Sequence, residues 1–146
     1  MKSKMRENKN IQCNIYEDSL DTFVFTQPAQ FIMGNKEYEV STWVELIDHL
    51  CAILMRRNSE TFETFLNDEK RRRTRIAYMS RDEQQIHFVK RLEKSGLYIN
   101  QKIDAPRSAK LICKLLDKFK INRDEFCLHI KLSDRQKQIK RAVTSS

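Results

Sequence analysis

The sequence contains few of the residues that interrupt regular secondary structure: two glycines and two prolines among 146 residues. Loop-rich β architectures use both types in their many turns, so this composition favours prominent helices. Charged residues also break up the apolar stretches well before the roughly 18 residues that a membrane-spanning helix needs. We therefore expect one soluble domain of ordinary size, with a hydrophobic core and no membrane span.

The four cysteines do not indicate a zinc site, because they form no CxxC pair and no histidine lies at zinc-finger spacing from them. They predict reduced, mostly buried thiols in a cytoplasmic protein without a signal peptide. A Mg²⁺ nuclease would need converging carboxylates, whereas the candidate strand near Ile99 carries Asn100 and Lys102 instead. Asp104 fits the start of a helix better. We expect no metal and no cofactor.

Positive charge is the strongest compositional signal. The chain has 28 Lys and Arg residues against 20 Asp and Glu residues, a formal net charge of +8. This excess favours a polyanionic partner, with DNA or RNA as the first choice. An acidic protein partner satisfies the same electrostatic field, and the charge can also serve solubility alone.

The first structured region is predicted to be rich in strands. From Thr22 to Val40, short runs of alternating apolar residues indicate strands. The Gly34-Asn35 dipeptide suits a type II′ turn, so the last two runs form a hairpin. Pro28 is expected to separate the first run from this hairpin.

A helix pair is predicted next. The Thr42-x-x-Glu45 capping box opens a helix with an apolar stripe, on which Trp43 is expected to be a core residue. Residues Ser59 to Leu66 indicate a short second helix that folds back on the first.

The C-terminal half predicts strand, helix, strand: a strand from Leu97 to Ile103, a helix opened by Pro106, and a strand from Phe126 to Leu132. The predicted fold class is therefore α+β, with these strands and the hairpin packed as one sheet and the helices on one face. The last two strands are either parallel neighbours or antiparallel with another strand between them.

The predicted domain organisation is one α+β domain over residues 22–132, containing a charged excursion at 67–91 that is a long loop or partly helical. Residues 1–21 are expected to form a basic, flexible N-terminal arm. Residues 133–146 are expected to form a basic, flexible tail.

Two stretches also carry a resemblance to a known family: Pro28-x-x-Phe31 with Tyr38-x-Val40-x-x-Trp43 and the Leu46–Leu54 helix, and Gly96-Leu97-Tyr98-Ile99 with Ser108–Leu116. They resemble an uncharacterised small bacterial domain that occurs alone or at the C-terminus of proteins associated with restriction and anti-phage defence. The resemblance covers roughly Pro28 to Leu132. It implies a shared fold and a bacterial defence or mobile-element context, but no catalytic residue. Where that family tends to carry an acidic residue, this chain has Asn100.

A nucleic-acid-binding site is predicted around a run of five positive charges in six residues, Lys70 to Arg75. Arginine holds phosphate oxygens in a bidentate manner, and an aromatic side chain nearby can stack on a base. The predicted site residues are Lys70, Arg71, Arg72, Arg73, Arg75, Tyr78, Arg81, Lys90 and Arg91. The competing interpretation is a solvated loop partly neutralised by neighbouring acidic residues.

Two further functions stay open. A protein-interaction module or inhibitor would use the same charge to dock on an acidic partner, such as a nuclease effector. A small ribonuclease would use Arg81 and His87, whose spacing fits the R-x(4–6)-H pattern of a helical ribonuclease family. That family is a four-helix bundle, whereas this chain predicts several strands, and so short a pattern often arises by chance.

Overall fold

The structure is a computed structural model that describes residues 10–13, 26–72, 78–122 and 124–132. The strands in these ranges are β1 (Asn10–Cys13), β2 (Thr26–Met33), β3 (Lys36–Glu39), β4 (Met79–Ser80), β5 (Val89–Arg91), β6 (Tyr98–Asn100) and β7 (Phe126–Leu132). The helices are α1 (Trp43–Arg57), α2 (Ser59–Arg72) and α3 (Ala105–Lys118), with a 3₁₀ turn at Glu83–Gln85. The predicted α+β class is confirmed.

The larger sheet has four antiparallel strands in the order β1-β7-β2-β3. The predicted hairpin is β2–β3, and Gly34 takes the positive φ of +64° that a type II′ turn requires at this position. One face of the sheet is buried and carries the alternating apolar residues Phe31, Met33, Phe126, Leu128 and Ile130. Helix α1 contacts β2 and both other helices, so the helices and this face share one core.

Pro28 is not a boundary before the hairpin as predicted, because it lies within β2, which runs from Thr26 to Met33. The first predicted run, with Phe23 and Phe25, lies outside the described residues. The register of β2 against β7 shifts between Pro28 and Gln30, so Ala29 is an additional residue in the ladder. A bulge of this kind accommodates a residue that has no N–H to donate. Ala29 has no partner in the β2–β7 register, and its carbonyl accepts a hydrogen bond from the Val40 N–H at 3.2 Å.

The prediction of a single sheet is wrong. Strand β6 is the centre of a second, three-stranded antiparallel sheet in the order β4-β6-β5, whereas β7 is in the larger sheet. The predicted C-terminal strands are therefore in different sheets, and α3 connects β6 of the smaller sheet to β7 of the larger one. The three elements do not form a βαβ unit. The partners of β6 have only two and three residues, too few to show an alternating pattern in the sequence.

Helix α1 begins as the capping box predicted. The Thr42 hydroxyl accepts a hydrogen bond from the Glu45 N–H at 3.0 Å, while the Glu45 carboxylate accepts one from the Ser41 N–H at 2.8 Å. This backbone hydrogen bond from Ser41 lowers the pKa of Glu45. Trp43 is buried, as predicted, and its indole N–H donates to the Thr26 carbonyl at 3.0 Å.

Helix α2 is longer than predicted. It continues past Leu66 to Arg72 and so takes up the first part of the charged excursion. Glu, Lys and Arg are good helix formers even where no apolar stripe is present. Asp68 also ties this extension to α3, because its carboxylate accepts a hydrogen bond from the Lys118 ammonium at 3.0 Å.

Part of the predicted N-terminal arm is a strand. Residues Asn10–Cys13 form β1 at the edge of the larger sheet, where Ile11 lies opposite Ile130. The prediction of a flexible arm is therefore wrong for these four residues. Residues 1–9, 14–25 and 133–146 lie outside the described part. Within the described part, no helix combines the length and apolar character of a transmembrane segment.

A buried serine on α3 gives a stability prediction. Ser108 is fully buried, and its hydroxyl has no hydrogen-bond partner among the described residues. Because an unpaired buried hydroxyl costs free energy and alanine is the better helix former, we expect Ser108→Ala to raise the free energy of unfolding by about 1 kcal/mol. Urea denaturation followed by circular dichroism measures this change. In the matched variant Thr42→Ala, loss of the bonded cap hydroxyl should lower stability by about 1 kcal/mol, and a loss in both variants would contradict the prediction.

Candidate nucleic-acid interface

The smaller sheet has one face toward the core and one toward solvent. Met79 and Ile99 lie opposite each other and are buried, so the flanking residues point to the other side. On that outer side Tyr98 lies between Ser80 and Arg91, its two cross-strand partners. Arg91 is exposed, whereas Ser80 and Tyr98 are half-buried. The outer face thus combines an aromatic ring with a cation.

The outer face continues with the next cross-strand pair, Asn100 and Val89. Asn100 donates its N–H to the Tyr78 carbonyl at 2.8 Å. Tyr78 is 41% exposed and Val89 is 36% exposed. Both are large hydrophobic residues left in contact with solvent at the end of a small sheet, where polar residues would be the ordinary choice.

Phe88, just before β5, is the most exposed large hydrophobic residue of the described chain, at 58%. Its φ of +50° is unusual for a bulky residue. Its carbonyl accepts a hydrogen bond from the Gln101 N–H at 3.0 Å, which fixes the backbone. The Lys102 ammonium lies 4.5 Å from the ring centroid, and the His87 ring meets Phe88 edge-on at 6.4 Å.

Positive charge is concentrated in the same segment of the chain as this aromatic residue. Between His87 and Lys102 the chain has four Lys or Arg residues and one acidic residue, Glu93. All four cations are exposed. Together with the two exposed rings they form what we call the hairpin surface: Tyr78, Phe88, Lys90, Arg91, Lys94 and Lys102. The β3 edge of the larger sheet, by contrast, exposes Glu37 and Glu39.

One more cation, Arg107, lies beside Tyr78. Arg107 at the start of α3 forms a salt bridge with Asp104, which also caps the helix by accepting from the Arg107 N–H at 2.9 Å. The neighbouring Asp104 carboxylate, and after it Tyr78, raise the pKa of the Arg107 guanidinium. The Tyr78 ring is therefore close to a fixed guanidinium as well as to the hairpin.

A buried carboxylate on α1 positions the loop that connects β5 and β6. Asp48 is buried, and its two oxygens accept hydrogen bonds from the Lys94 N–H at 3.1 Å and the Ser95 N–H at 2.8 Å. The loop is closed by the Leu92 N–H, which donates to the Leu97 carbonyl at 2.7 Å. The hairpin surface is thus attached to the core helix.

The predicted binding residues are distributed unevenly over the structure. Lys90 and Arg91 form the exposed strand β5, and Tyr78 lies beside β4, so these three share the smaller sheet. Lys70, Arg71 and Arg72 are the last residues of α2. Arg73 and Arg75 lie outside the described residues, so their place in the site stays a prediction.

Arg81 has a structural partner instead of a free guanidinium. Its Nε donates to the Glu63 carboxylate at 3.2 Å, and its Nη2 donates to the other oxygen of the same carboxylate. Nη2 also contacts the Met55 sulfur at 3.6 Å. This bidentate pair joins α2 to the smaller sheet and neutralises Arg81. His87 is exposed, and its ring contact is with Phe88. These contacts supply no argument for the ribonuclease hypothesis.

Sequence reasoning missed Phe88, Lys94 and Lys102. The available signal was local: in HFVKR, residues 87–91, an aromatic residue lies two positions before a pair of cations. A lone phenylalanine in such a run is usually a core residue. Its exposure and positive φ depend on the hairpin geometry, which the sequence pattern does not display.

Three cysteines, Cys51, Cys113 and Cys127, are buried to different degrees and are not activated. Burial raises the pKa of Cys51, Cys113 and Cys127 above the ordinary thiol value, and for Cys113, whose pKa is raised to about 11, the charge of Asp117 contributes further. These thiols are therefore poor nucleophiles near neutral pH. Among the described residues, no group of three His, Cys, Asp or Glu side chains is placed to hold a metal ion.

No protein-family model, no curated protein sequence and no solved structure matches the chain. Function must therefore be inferred from the contacts, exposure and charge of the smaller sheet and its surroundings.

Proposed function

We propose that this protein binds nucleic acid, DNA or RNA, through the hairpin surface and the basic residues that precede it at the end of α2. One observation carries the proposal: exposed cations and exposed aromatic rings lie on the smaller sheet or in the segments directly adjoining its strands. Cations neutralise phosphates, and rings contact bases. A charge excess that served solubility alone would not require Phe88 and Tyr78 to be exposed.

The chemistry proposed is binding by phosphate contacts, with little base specificity. Lys90, Arg91, Lys94 and Lys102 would contact phosphate oxygens, together with Lys70 to Arg75. Release of counterions would make the affinity fall steeply as salt concentration rises. By its resemblance to the defence-associated bacterial domain, the protein would act in the cytoplasm within a nucleoprotein complex of a defence system or mobile element.

The test is fluorescence anisotropy with labelled DNA and RNA over a series of salt concentrations. We expect the slope of log K against log salt to become shallower by about 0.7 to 0.9 for each phosphate contact removed. A variant with Lys90, Arg91, Lys94 and Lys102 changed to alanine should therefore bind much more weakly than the wild type. A second variant with Arg71, Arg72, Arg73 and Arg75 changed to alanine tests the predicted contacts before Tyr78.

The chain offers a control with the same change in charge. Lys36, Arg56, Lys110 and Lys131 are exposed and lie on β3, α1, α3 and β7, outside the smaller sheet. Changing these four to alanine should reduce affinity much less than changing the hairpin four. Equal losses in the two variants would show attraction by net charge without a located site. No binding at physiological salt, with a stoichiometric acidic protein recovered from cells, would replace the proposal by the protein-interaction alternative.

A further inference from the structure

We infer that the Phe88 ring is a stacking platform for an unpaired base, so that the nucleic acid recognised is single-stranded. This inference rests on the proposed function and specifies its substrate class. It depends on three features of Phe88: the exposure of the ring, the rigidity of its backbone, and the ammonium group beside it.

The ring is available because the fold keeps it out of the core. Phe88 is 58% exposed although the described chain buries four other phenylalanines: Phe31, Phe62, Phe65 and Phe126. A bulky side chain at a φ of +50° is rare, and such backbone outliers concentrate at ligand-binding sites.

The backbone that carries the ring is also held in place. Directly after Phe88, Val89 pairs with Asn100 in the β5–β6 ladder, and the Phe88 carbonyl accepts the Gln101 N–H at 3.0 Å. The loop of the same hairpin is anchored to α1 through Asp48. A ring carried by an ordered backbone loses less conformational freedom when a base stacks on it than a ring on a mobile loop does.

The Lys102 ammonium, 4.5 Å from the ring centroid, gives the platform a charge. A nucleotide whose base stacks on Phe88 would bring its phosphate near this ammonium. The complementary ligand has an aromatic face and a negative charge, which together describe a nucleotide unit. The Tyr78 and Phe88 carbonyls accept hydrogen bonds from two consecutive residues, Asn100 and Gln101. The Tyr78 ring is therefore available as a second platform for a neighbouring base.

A duplex fits this arrangement poorly. In a double helix each base is already stacked on its neighbours, so a protein ring reaches a base face only after the base is extruded. Single strands expose their base faces, and aromatic side chains on a basic groove are the usual means of binding them without sequence preference.

The test compares Phe88→Leu with Phe88→Trp by anisotropy, using a labelled oligothymidylate of about 12 nucleotides and a duplex of the same length. Leucine keeps the apolar character and removes the π face, so we expect single-strand affinity to fall by about 5- to 100-fold and duplex affinity to stay unchanged. Tryptophan should retain the affinity. Stacking of a thymine on this tryptophan should quench its fluorescence. The native Trp43 is buried and contributes a constant background.

The outcomes separate this inference from the proposed function. If Phe88→Leu binds the single strand as the wild type does, while the quadruple hairpin variant loses binding, base stacking is refuted and the basic interface stands. If the wild type binds the duplex more tightly than the single strand, the substrate class is wrong. If the wild type binds neither probe, both proposals fail. Equal unfolding midpoints of the two Phe88 variants by circular dichroism establish that the comparison concerns binding.

Discussion

Replacing Phe31 by alanine is expected to lower the free energy of unfolding by about 3 to 5 kcal/mol, the largest effect we predict for a single substitution. Phe31 is completely buried on β2. Its ring stacks on Tyr38 at 4.8 Å and on Phe126 at 5.8 Å, and it meets His49 edge-on at 6.3 Å. The substitution therefore removes apolar burial and three ring contacts, and leaves a cavity between the larger sheet and α1.

The measurement is urea unfolding followed by far-ultraviolet circular dichroism, with the midpoint expected to fall and the slope to stay constant. Phe88→Ala is the matched control, because it removes the same side chain from an exposed position and should cost less than about 1 kcal/mol. Similar losses in the two variants would show that Phe31 is not in the core and would contradict the packing of β2 against the helices.

The sequence was sufficient for the elements with a long, regular pattern. The cap and apolar stripe of α1, the Gly34 hairpin and the alternation in β7 each combine a local signal with a clear face toward the core. The resulting α+β class followed from these elements alone. Pro28 shows where local reasoning fails, because a bulge allowed β2 to pass through a residue that usually marks a strand boundary.

The second sheet could not be predicted, and most of the candidate site lies on it. Strands β4 and β5 have two and three residues, and β5 is entirely exposed, so neither shows alternation. The positive charges in the sequence predicted Lys90 and Arg91 as binding residues. They predicted Arg81 equally, although its charge is neutralised by Glu63. Charge can be counted in a sequence, whereas pairing and exposure depend on tertiary contacts.

Replacing Asp48 by alanine is expected to lower the free energy of unfolding by about 2 to 4 kcal/mol, although the residue is far in sequence from the loop it supports. The carboxylate is buried on α1 and accepts the N–H groups of Lys94 and Ser95. Alanine leaves both donors without their partner and loosens the β5–β6 hairpin. Affinity for single-stranded nucleic acid should fall as well, because the ring and cations of the hairpin surface lose their fixed frame.

Asp48→Asn distinguishes hydrogen bonding from simple loss of volume. The asparagine amide has one acceptor oxygen and one NH₂ group, so it can satisfy one of the two N–H donors and must present donors to the other. Its cost should be smaller than that of alanine, and Glu93→Gln, an exposed change in the same loop, should stay within about 0.5 kcal/mol of the wild type.

Amide hydrogen exchange locates the effect of the Asp48 variants. The Leu92 amide, which closes the loop on Leu97, should exchange faster in both variants, while amides of β7 in the larger sheet should change only with global stability. If protection at Leu92 is unchanged in Asp48→Ala, the carboxylate does not hold the loop. If it falls together with single-strand affinity, while Glu93→Gln alters neither, the core helix α1 determines how firmly the binding hairpin is presented to its ligand.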